Sequence, residues 1–151
     1  MDRVTIRPAL SGDVEDVTEL YLKLRDHHVR LQPENIRYGV ADEGWRRVGQ
    51  GAIEEGRVWV AEVAGTIVGF MKLGFVEKPW GISCEIETLV VAEALRGSGI
   101  GKALMGTAEQ IARDRGARGL RVDVLIGNED ARRLYHGLGY RDTAIRMALD
   151  L

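Results

Sequence analysis

Apolar residues along this chain recur with two periods, one typical of helices and one typical of strands. Spacings of three and four predict a first helix from Ser11 or Asp13 to about Arg25. The same spacing predicts further helices at about 42–54, 99–115 and 129–138. Alternating or continuous apolar runs predict strands at 4–7, 58–63, 66–76, 82–91, 120–126 and 140–149.

The order of these elements predicts one α/β domain over residues 1–151, built around a mixed sheet. The strand–helix–strand unit at 82–126 is expected to be a parallel, right-handed crossover. The strands at 58–63 and 66–76 are separated only by Ala64-Gly65, which predicts an antiparallel hairpin. A chain of 151 residues suits a single domain with a sizeable core.

Composition narrows the functional classes. The net charge of −2 gives no general attraction to nucleic acid, so a nucleic-acid-binding surface is not expected. Neither a membrane span nor a signal peptide is indicated, because no apolar run is long enough and no charged leader precedes one. The single cysteine, Cys84, excludes an internal disulfide and fits a reducing cytoplasm. Three histidines and one cysteine give no spacing typical of a metal site.

A glycine-rich turn lies between the strand at 82–91 and the helix at 99–115: Arg96-Gly97-Ser98-Gly99-Ile100-Gly101. Free N–H groups and the helix dipole at such a turn favour an anion, usually a phosphate, with charge added by Arg96 and by Lys102 in the first helical turn. A dinucleotide fingerprint is excluded because its third glycine would fall one position later than Gly101. A P-loop is excluded because Ala103 stands where the hydroxyl residue is required.

The turn fits a third pattern, Arg/Gln-x-x-Gly-x-Gly/Ala, through Arg96, Gly99 and Gly101. About thirty residues later comes Asn128-x-x-Ala131-x-x-Leu134-Tyr135, followed by Gly139-Tyr140. With these motifs and this order of elements, the chain resembles the GCN5-related N-acetyltransferase (GNAT) superfamily. The resemblance implies a central mixed sheet of six or seven strands flanked by about four helices.

The resemblance also implies acetyl-CoA as co-substrate, without a metal, and assigns residues to it. The turn Arg96 to Gly101, with Lys102, would hold the pyrophosphate. The strand residues Leu89, Val90 and Val91 would pair with the pantetheine arm through their backbone. Asn128 and Tyr135 would line the thioester, although Asn128 is equally suited to capping the helix that follows it.

The chemistry sets further requirements. An amine with a pKa of about 10.4 must lose a proton before it attacks, and the departing thiolate can take one from a phenol. Tyr135 is the candidate general acid. Glu87 is the candidate base, directly or through water, with Glu85 or a longer water chain as alternatives. Strict strand alternation would place Glu85, Glu87, Leu89 and Val91 on one face and the residues between them on the other.

Two functions follow from these residues. The first is an N-acetyltransferase that moves acetyl from acetyl-CoA to a primary amine of a small molecule, protein or peptide. The alternative is a non-catalytic acyl-CoA-binding or sensor domain with the same fold. A homodimer is compatible with the resemblance and with the alternation of Ile145, Met147 and Leu149 in the last predicted strand.

Overall fold

A computed structural model describes residues 2–151. Its five strands are β1 (Val4–Pro8), β2 (Val58–Val63), β3 (Thr66–Lys78), β4 (Gly81–Val91) and β5 (Ala117–Val122). Its four α-helices are α1 (Val14–Leu31), α2 (Asp42–Glu54), α3 (Ile100–Asp114) and α4 (Glu129–Gly137). Short 3-10 turns lie at Ser11–Asp13, Ile36–Tyr38 and Glu93–Leu95. The mixed α/β class expected from the sequence is confirmed.

The strands form one sheet in the order β1-β2-β3-β4-β5. The first four strands are antiparallel neighbours, while β4 and β5 are parallel and joined through α3. The hairpin at 58–76 and the parallel crossover predicted from the sequence are both present. Sheet order therefore follows chain order: short turns join β2 to β3 and β3 to β4, whereas α1 and α2 lie between β1 and β2.

Two apolar cores cover the two faces of the sheet. β2 shows the alternation: Val58 and Val60 pack in the cluster with α1 and α2, and Trp59 and Ala61 pack in the cluster with α3. All four side chains are buried. Alternate residues of a strand point to opposite faces, so this strand is covered by helices on both sides.

A β-bulge interrupts the alternation of β4. Lys72 of β3 lies opposite Thr88, but its neighbour Leu73 lies opposite Ile86, so Glu87 is an extra residue. Ile86 and Leu89 consequently pack in the same core, the one that contains α3. The expectation of one unbroken alternation from Glu85 to Val91 is therefore wrong, because a bulge inserts one residue and reverses the facing of those after it.

Other elements differ from the expectations at their ends. Helix α1 continues six residues beyond Arg25, to Leu31, and β5 ends at Val122 rather than 126.

The strand expected at 140–149 is absent, which leaves five strands in residues 2–151 instead of six or seven. Alternation suits residues 140–149 to a strand, but they form no ladder with a neighbouring strand, and a lone strand is not stable.

Within residues 2–151, no helix combines the length and apolar character that crossing a bilayer requires. The same residues contain no cluster of three or more His, Cys, Asp or Glu side chains arranged to hold a metal ion. Cys84 is a free, buried thiol, and burial raises its pKa to about 11.

Candidate active site

The sheet splits between β4 and β5. Their pairing runs from Ile82 with Ala117 to Ile86 with Val122 and then stops. β4 continues to Val91, where it pairs with β3 alone. The backbone of residues 87–91 therefore presents an unpaired edge toward the gap, and such an edge binds an extended ligand that carries amide groups. Leu89, Val90 and Val91, the predicted pantetheine-binding residues, lie on this edge.

The glycine-rich turn begins five residues beyond the end of β4. Gly97 and Gly99 have φ angles of 80° and 92°, which only glycine adopts without strain. A Cβ at either position would meet nothing within 4 Å, so backbone conformation and not space requires these glycines. The Ser98 hydroxyl donates to the Leu95 carbonyl and stabilises the turn internally.

The turn presents free donors at the start of α3. The first N–H bonded along the helix is that of Ala103, which donates to the Gly99 carbonyl at 3.0 Å. In the described chain, the N–H groups of Ile100, Gly101 and Lys102 have no backbone acceptor. Three free donors at the positive end of a helix form an anion site. Exposed Lys102 lies in this first turn, and exposed Arg96 precedes it.

Gly101 serves packing rather than turn geometry. A Cβ there would lie 3.4 Å from Leu134 Cδ2 and 3.9 Å from Val91 Cγ2. Glycine thus lets α3 approach α4 and the end of β4 closely. This contact places α4, with Asn128 at its start and Tyr135 next to Leu134, beside the glycine-rich turn.

Asn128 caps α4. Its Oδ1 accepts a hydrogen bond from the Ala131 N–H at 3.3 Å, which satisfies one of the free donors of the first turn. The capping interpretation of Asn128 is therefore confirmed. Its Nδ2 donors are not needed for the cap and can serve a ligand.

Tyr135 is buried, with 7 % of its surface exposed, in the core on the α3 side of the sheet. Its ring lies 5.6 Å from that of Tyr140. Burial raises the pKa of Tyr135 above its ordinary value because a phenolate would be poorly solvated there. Tyr135 therefore carries its proton at neutral pH.

Glu87 is held by two cations at the point where the sheet splits. Arg57 Nη1 donates to both carboxylate oxygens, at 3.2 and 3.1 Å, and Lys72 Nζ lies 3.6 Å from Oε1. Arg57 also donates to the Leu73 carbonyl at 2.9 Å, which anchors the guanidinium to β3. The carboxylate lies over Gly74, where any larger side chain would collide with it.

A buried polar cluster of Lys72, Tyr21 and Thr88 contacts Glu87 through Lys72. Lys72 is only 8 % exposed, and its Nζ donates to the Tyr21 hydroxyl at 3.0 Å. Thr88 Oγ1 donates to the same hydroxyl at 3.4 Å. The sequence analysis missed Arg57, Lys72 and Tyr21. Lys72 carried a signal, because it is the one charged residue within the apolar run from Ile67 to Val76.

Glu85 has a different environment. It lies in the paired part of β4, opposite Arg121 of β5. Its Oε1 accepts a hydrogen bond from Ser83 Oγ at 3.2 Å and lies 3.9 Å from Arg121 Nη1. Of the two carboxylates, only Glu87 lies at the start of the gap.

The sequence of this chain is similar to those of known acetyltransferases. Residues 18–140 match the model of the Acetyltransferase (GNAT) family. The chain belongs to this family. It is 28 % identical over 148 residues to thialysine N-epsilon-acetyltransferase of Bos taurus, covering 92 % of this chain and 85 % of that protein. It is 34 % identical over 101 residues to streptothricin acetyltransferase of Streptomyces lavendulae, covering 66 % and 52 %.

Solved structures agree in fold. The aminoglycoside N-acetyltransferase AAC(6')-Iy in complex with CoA superposes with a TM-score of 0.78 at 16 % identity, covering 100 % of this chain and 96 % of that one. A GCN5-related N-acetyltransferase from Ralstonia eutropha JMP134 gives 0.79 at 22 % identity, covering 99 % of both chains. This GNAT protein is accordingly an acyltransferase of the N-acetyltransferase type.

Proposed function

We propose that this chain, acting as one domain, transfers acetyl from acetyl-CoA directly to a primary amine. The observation that carries the proposal is the continuous path from the unpaired edge of β4 to the free N–H groups at the start of α3. A strand edge suits the amides of a pantetheine arm, and the helix start suits a pyrophosphate.

Each part of this path has a proposed role. Leu89, Val90 and Val91 hold the pantetheine arm through their backbone. The turn from Arg96 through Gly97, Ser98, Gly99, Ile100 and Gly101 to Lys102 holds the pyrophosphate, with Arg96 and Lys102 supplying positive charge. The free Nδ2 of Asn128 lies at the start of α4 and donates toward the thioester end.

Glu87 is the proposed base. Arg57 and Lys72 contact its oxygens, so proton transfer from the amine passes through a water molecule rather than by direct contact. Glu85 is the competing candidate, and its bond to Ser83 and its distance from the gap count against it. The neutral amine nitrogen then forms a bond to the thioester carbon.

Tyr135 is the proposed acid. When the carbon–sulfur bond breaks, the phenol donates its hydrogen to the sulfur, and the second proton of the amine nitrogen passes to the phenol oxygen. The first proton, taken by Glu87 through water, leaves to solvent. The pKa of Tyr135 is raised above that of a thiol, so the phenol does not give up its proton to the thiolate unless it gains another. The transfer to sulfur is therefore complete only when the proton from the amine nitrogen reaches the phenol oxygen. Before that point, Tyr135 acts as a hydrogen-bond donor to the developing charge.

The proposal also covers the acceptor, the binding partners, the location and the assembly of the protein. The acceptor is a small-molecule, protein or peptide amine, and the slight excess of acidic residues mildly suits a cation. Nucleic acid and membranes are not proposed as partners. A cytoplasmic location and a homodimer complete the proposal.

The second candidate function is a non-catalytic acyl-CoA-binding or sensor domain. The contact of Glu87 with two cations favours it, because both oxygens of the candidate base are already engaged. The retained acid Tyr135 favours catalysis instead.

The deciding experiment is release of CoA thiol from acetyl-CoA with a panel of primary amines, alongside calorimetry of acetyl-CoA binding. Catalysis predicts release that depends on the acceptor. Tyr135→Phe should lower kcat about a hundredfold with little change in acetyl-CoA affinity, and Tyr140→Phe is the matched control. Glu87→Gln should lower kcat more than Glu85→Gln. Tight acetyl-CoA binding without turnover on any amine would establish the sensor function instead.

A further inference from the structure

The inner side of α1 crosses the gap in the sheet. Four of its residues follow at spacings of three and four and therefore share one side of the helix: Tyr21, Leu24, His28 and Leu31. The Tyr21 hydroxyl lies 3.4 Å from Thr88 Oγ1 of β4. At the other end, Leu31 Cδ2 lies 3.6 Å from the point that a Cβ of Gly127 would occupy, beyond the end of β5. His28, one turn before Leu31, consequently faces the gap.

The two residues proposed for proton transfer lie on opposite faces of the sheet. Glu87 contacts Lys72, whose Nζ donates to Tyr21 of α1. Tyr135 lies in the core that contains α3. The amine must meet Glu87 and the sulfur must meet Tyr135, so the acceptor reaches the thioester from the face covered by α1. His28 lies on this face and has no part in the mechanism described so far.

His28 and Tyr38 carry polar groups without hydrogen-bond partners in residues 2–151. Their ring centroids are 5.4 Å apart, and Tyr38 is only 8 % exposed. Over the same residues, every side-chain nitrogen or oxygen that is closed off from solvent has a partner, so these groups remain open to a ligand. Burial, followed by the charges of His27 and Arg37, lowers the pKa of His28 to about 4. The imidazole is therefore uncharged at neutral pH, and one of its nitrogens can accept a hydrogen bond.

The segment around this pair is not acidic. Residues 27–40 contain two arginines and one carboxylate, that of Glu34. The Arg37 guanidinium lies 5.8 Å from the centre of the Tyr38 ring, so a cation borders the pair. The two aspartates that flank the segment are already paired with an arginine: Asp26 and Asp42 with Arg25, at 2.9 and 2.7 Å. An acceptor with several positive charges would thus meet a cation here instead of a row of carboxylates, whatever the charge of the whole chain.

We propose that the acceptor is a primary monoamine with an apolar body, held on the α1 face by His28 and Tyr38. The proposal rests on the function proposed above and names the class of its acceptor. The ammonium donates one hydrogen bond to the free ring nitrogen of His28 and another to the water that leads to Glu87. The apolar body packs on the Tyr38 ring and on Leu31.

The first test compares acceptors by release of CoA thiol. Phenethylamine and hexylamine represent the apolar monoamines, and spermidine and kanamycin represent the polycations. We expect kcat/KM to be at least about tenfold higher for the monoamines, because the polycations place further charges against an uncharged wall. A preference for spermidine or kanamycin overturns the proposed acceptor class.

The second test needs no turnover, so it separates this proposal from the proposed function. The ring-nitrogen chemical shifts of the three histidines are followed by NMR while phenethylamine is added to the protein saturated with CoA. The His28 signal should move and saturate, whereas those of His27 and His136 should stay. A His28 signal that does not move overturns the proposal, whether or not the protein turns over any amine. A moving signal without turnover would retain the acceptor site and refute catalysis alone.

The third test uses variants of the two adjacent histidines. His28→Leu should raise KM for phenethylamine about tenfold while leaving KM for acetyl-CoA unchanged, since only the acceptor loses a hydrogen bond. His28→Asn keeps a side-chain oxygen that can accept this bond and should recover part of the loss. His27→Leu is the matched control and should behave as the wild type. Circular dichroism checks folding, and an unchanged KM for phenethylamine in folded His28→Leu overturns the proposal.

Discussion

Arg57 Nη1 donates hydrogen bonds to both carboxylate oxygens of Glu87 and to the carbonyl oxygen of Leu73. The guanidinium thereby links β3 to the bulge of β4, at the level where the gap between β4 and β5 begins. Since Arg57 precedes β2, three neighbouring strands contribute to the position of one carboxylate.

Loss of Arg57 should therefore affect turnover more than binding. Arg57→Met should lower kcat about tenfold because Glu87 loses its fixed position, and it should lower stability by about 1 kcal/mol through the lost hydrogen bonds. Arg57→Lys should recover part of the rate. Steady-state kinetics and thermal unfolding measure both effects. Glu55→Gln is the control, since Glu55 also pairs with Arg57 at 3.1 Å but lies outside the gap. A wild-type kcat for Arg57→Met would remove Arg57 from the mechanism.

The glycines of the turn should respond differently to alanine. Gly99→Ala forces a φ of 92° on a residue with a Cβ and should cost about 1 to 2 kcal/mol of stability while weakening acetyl-CoA binding. Gly101→Ala requires only a small shift of Leu134 and should change stability by less than about 1 kcal/mol. Denaturant unfolding and calorimetry compare the two. Equal losses would show that conformation does not distinguish these positions.

Substitutions of Asn128 can separate its cap from its proposed ligand contact. Asn128→Ala should cost about 1 kcal/mol because the Ala131 N–H loses its acceptor. Asn128→Asp keeps the acceptor and should keep the stability, but it removes the amide donor and should weaken acetyl-CoA binding. Unfolding and calorimetry are measured on the same samples. Undiminished affinity in Asn128→Asp would leave the residue as a cap alone.

His28 predicts a pH dependence of stability. Burial, followed by the charges of His27 and Arg37, lowers the pKa of His28 to about 4 from 6.5. Between these values the unfolded chain binds a proton that the folded chain does not, so stability rises with pH through this window and falls as pH drops from 6.5 to 4. Between pH 7 and pH 5, the free energy of unfolding of His28→Gln should therefore fall by about 1 kcal/mol less than that of the wild type. This figure is reduced because the ring is partly exposed to solvent.

Urea unfolding at the two pH values checks this, with His27→Gln as the matched control. The neutral imidazole packs beside Tyr38, with ring centroids 5.4 Å apart, so the substitution itself has a cost that is the same at both pH values. Only the difference between pH 7 and 5 bears on the prediction. Identical differences in His28→Gln and the wild type would contradict it.

Local patterns determined what the sequence could predict. The hairpin around Ala64-Gly65 and the turn before α3 depend on residues that are neighbours in the chain, and both are present. The support of Glu87 could not be predicted in the same way, since Arg57 and Tyr21 are 30 and more residues away and their contacts depend on sheet register. The bulge at Glu87 was missed for a related reason: strict alternation assumes that both strands advance together.

The C-terminal segment shows the opposite error. Alternation in residues 140–149 satisfies the pattern of a strand, yet a strand also needs a neighbour, and a pattern within one segment does not reveal whether a neighbour exists. The same limit applies to the acceptor, because the loop at 32–41 that follows α1 has no periodicity from which a ligand could be inferred.

Because Glu87 is the extra residue of the bulge, the pairing of β3 with β4 does not need it. If Glu87 were absent, Ile86 and Thr88 would be neighbours in strict alternation, and each would keep the side of the sheet that it has now. Both cores would be filled as before, by a strand one residue shorter. The sheet thus gains nothing in packing from this residue, and a chain that lacks it should fold while losing the one carboxylate at the mouth of the gap.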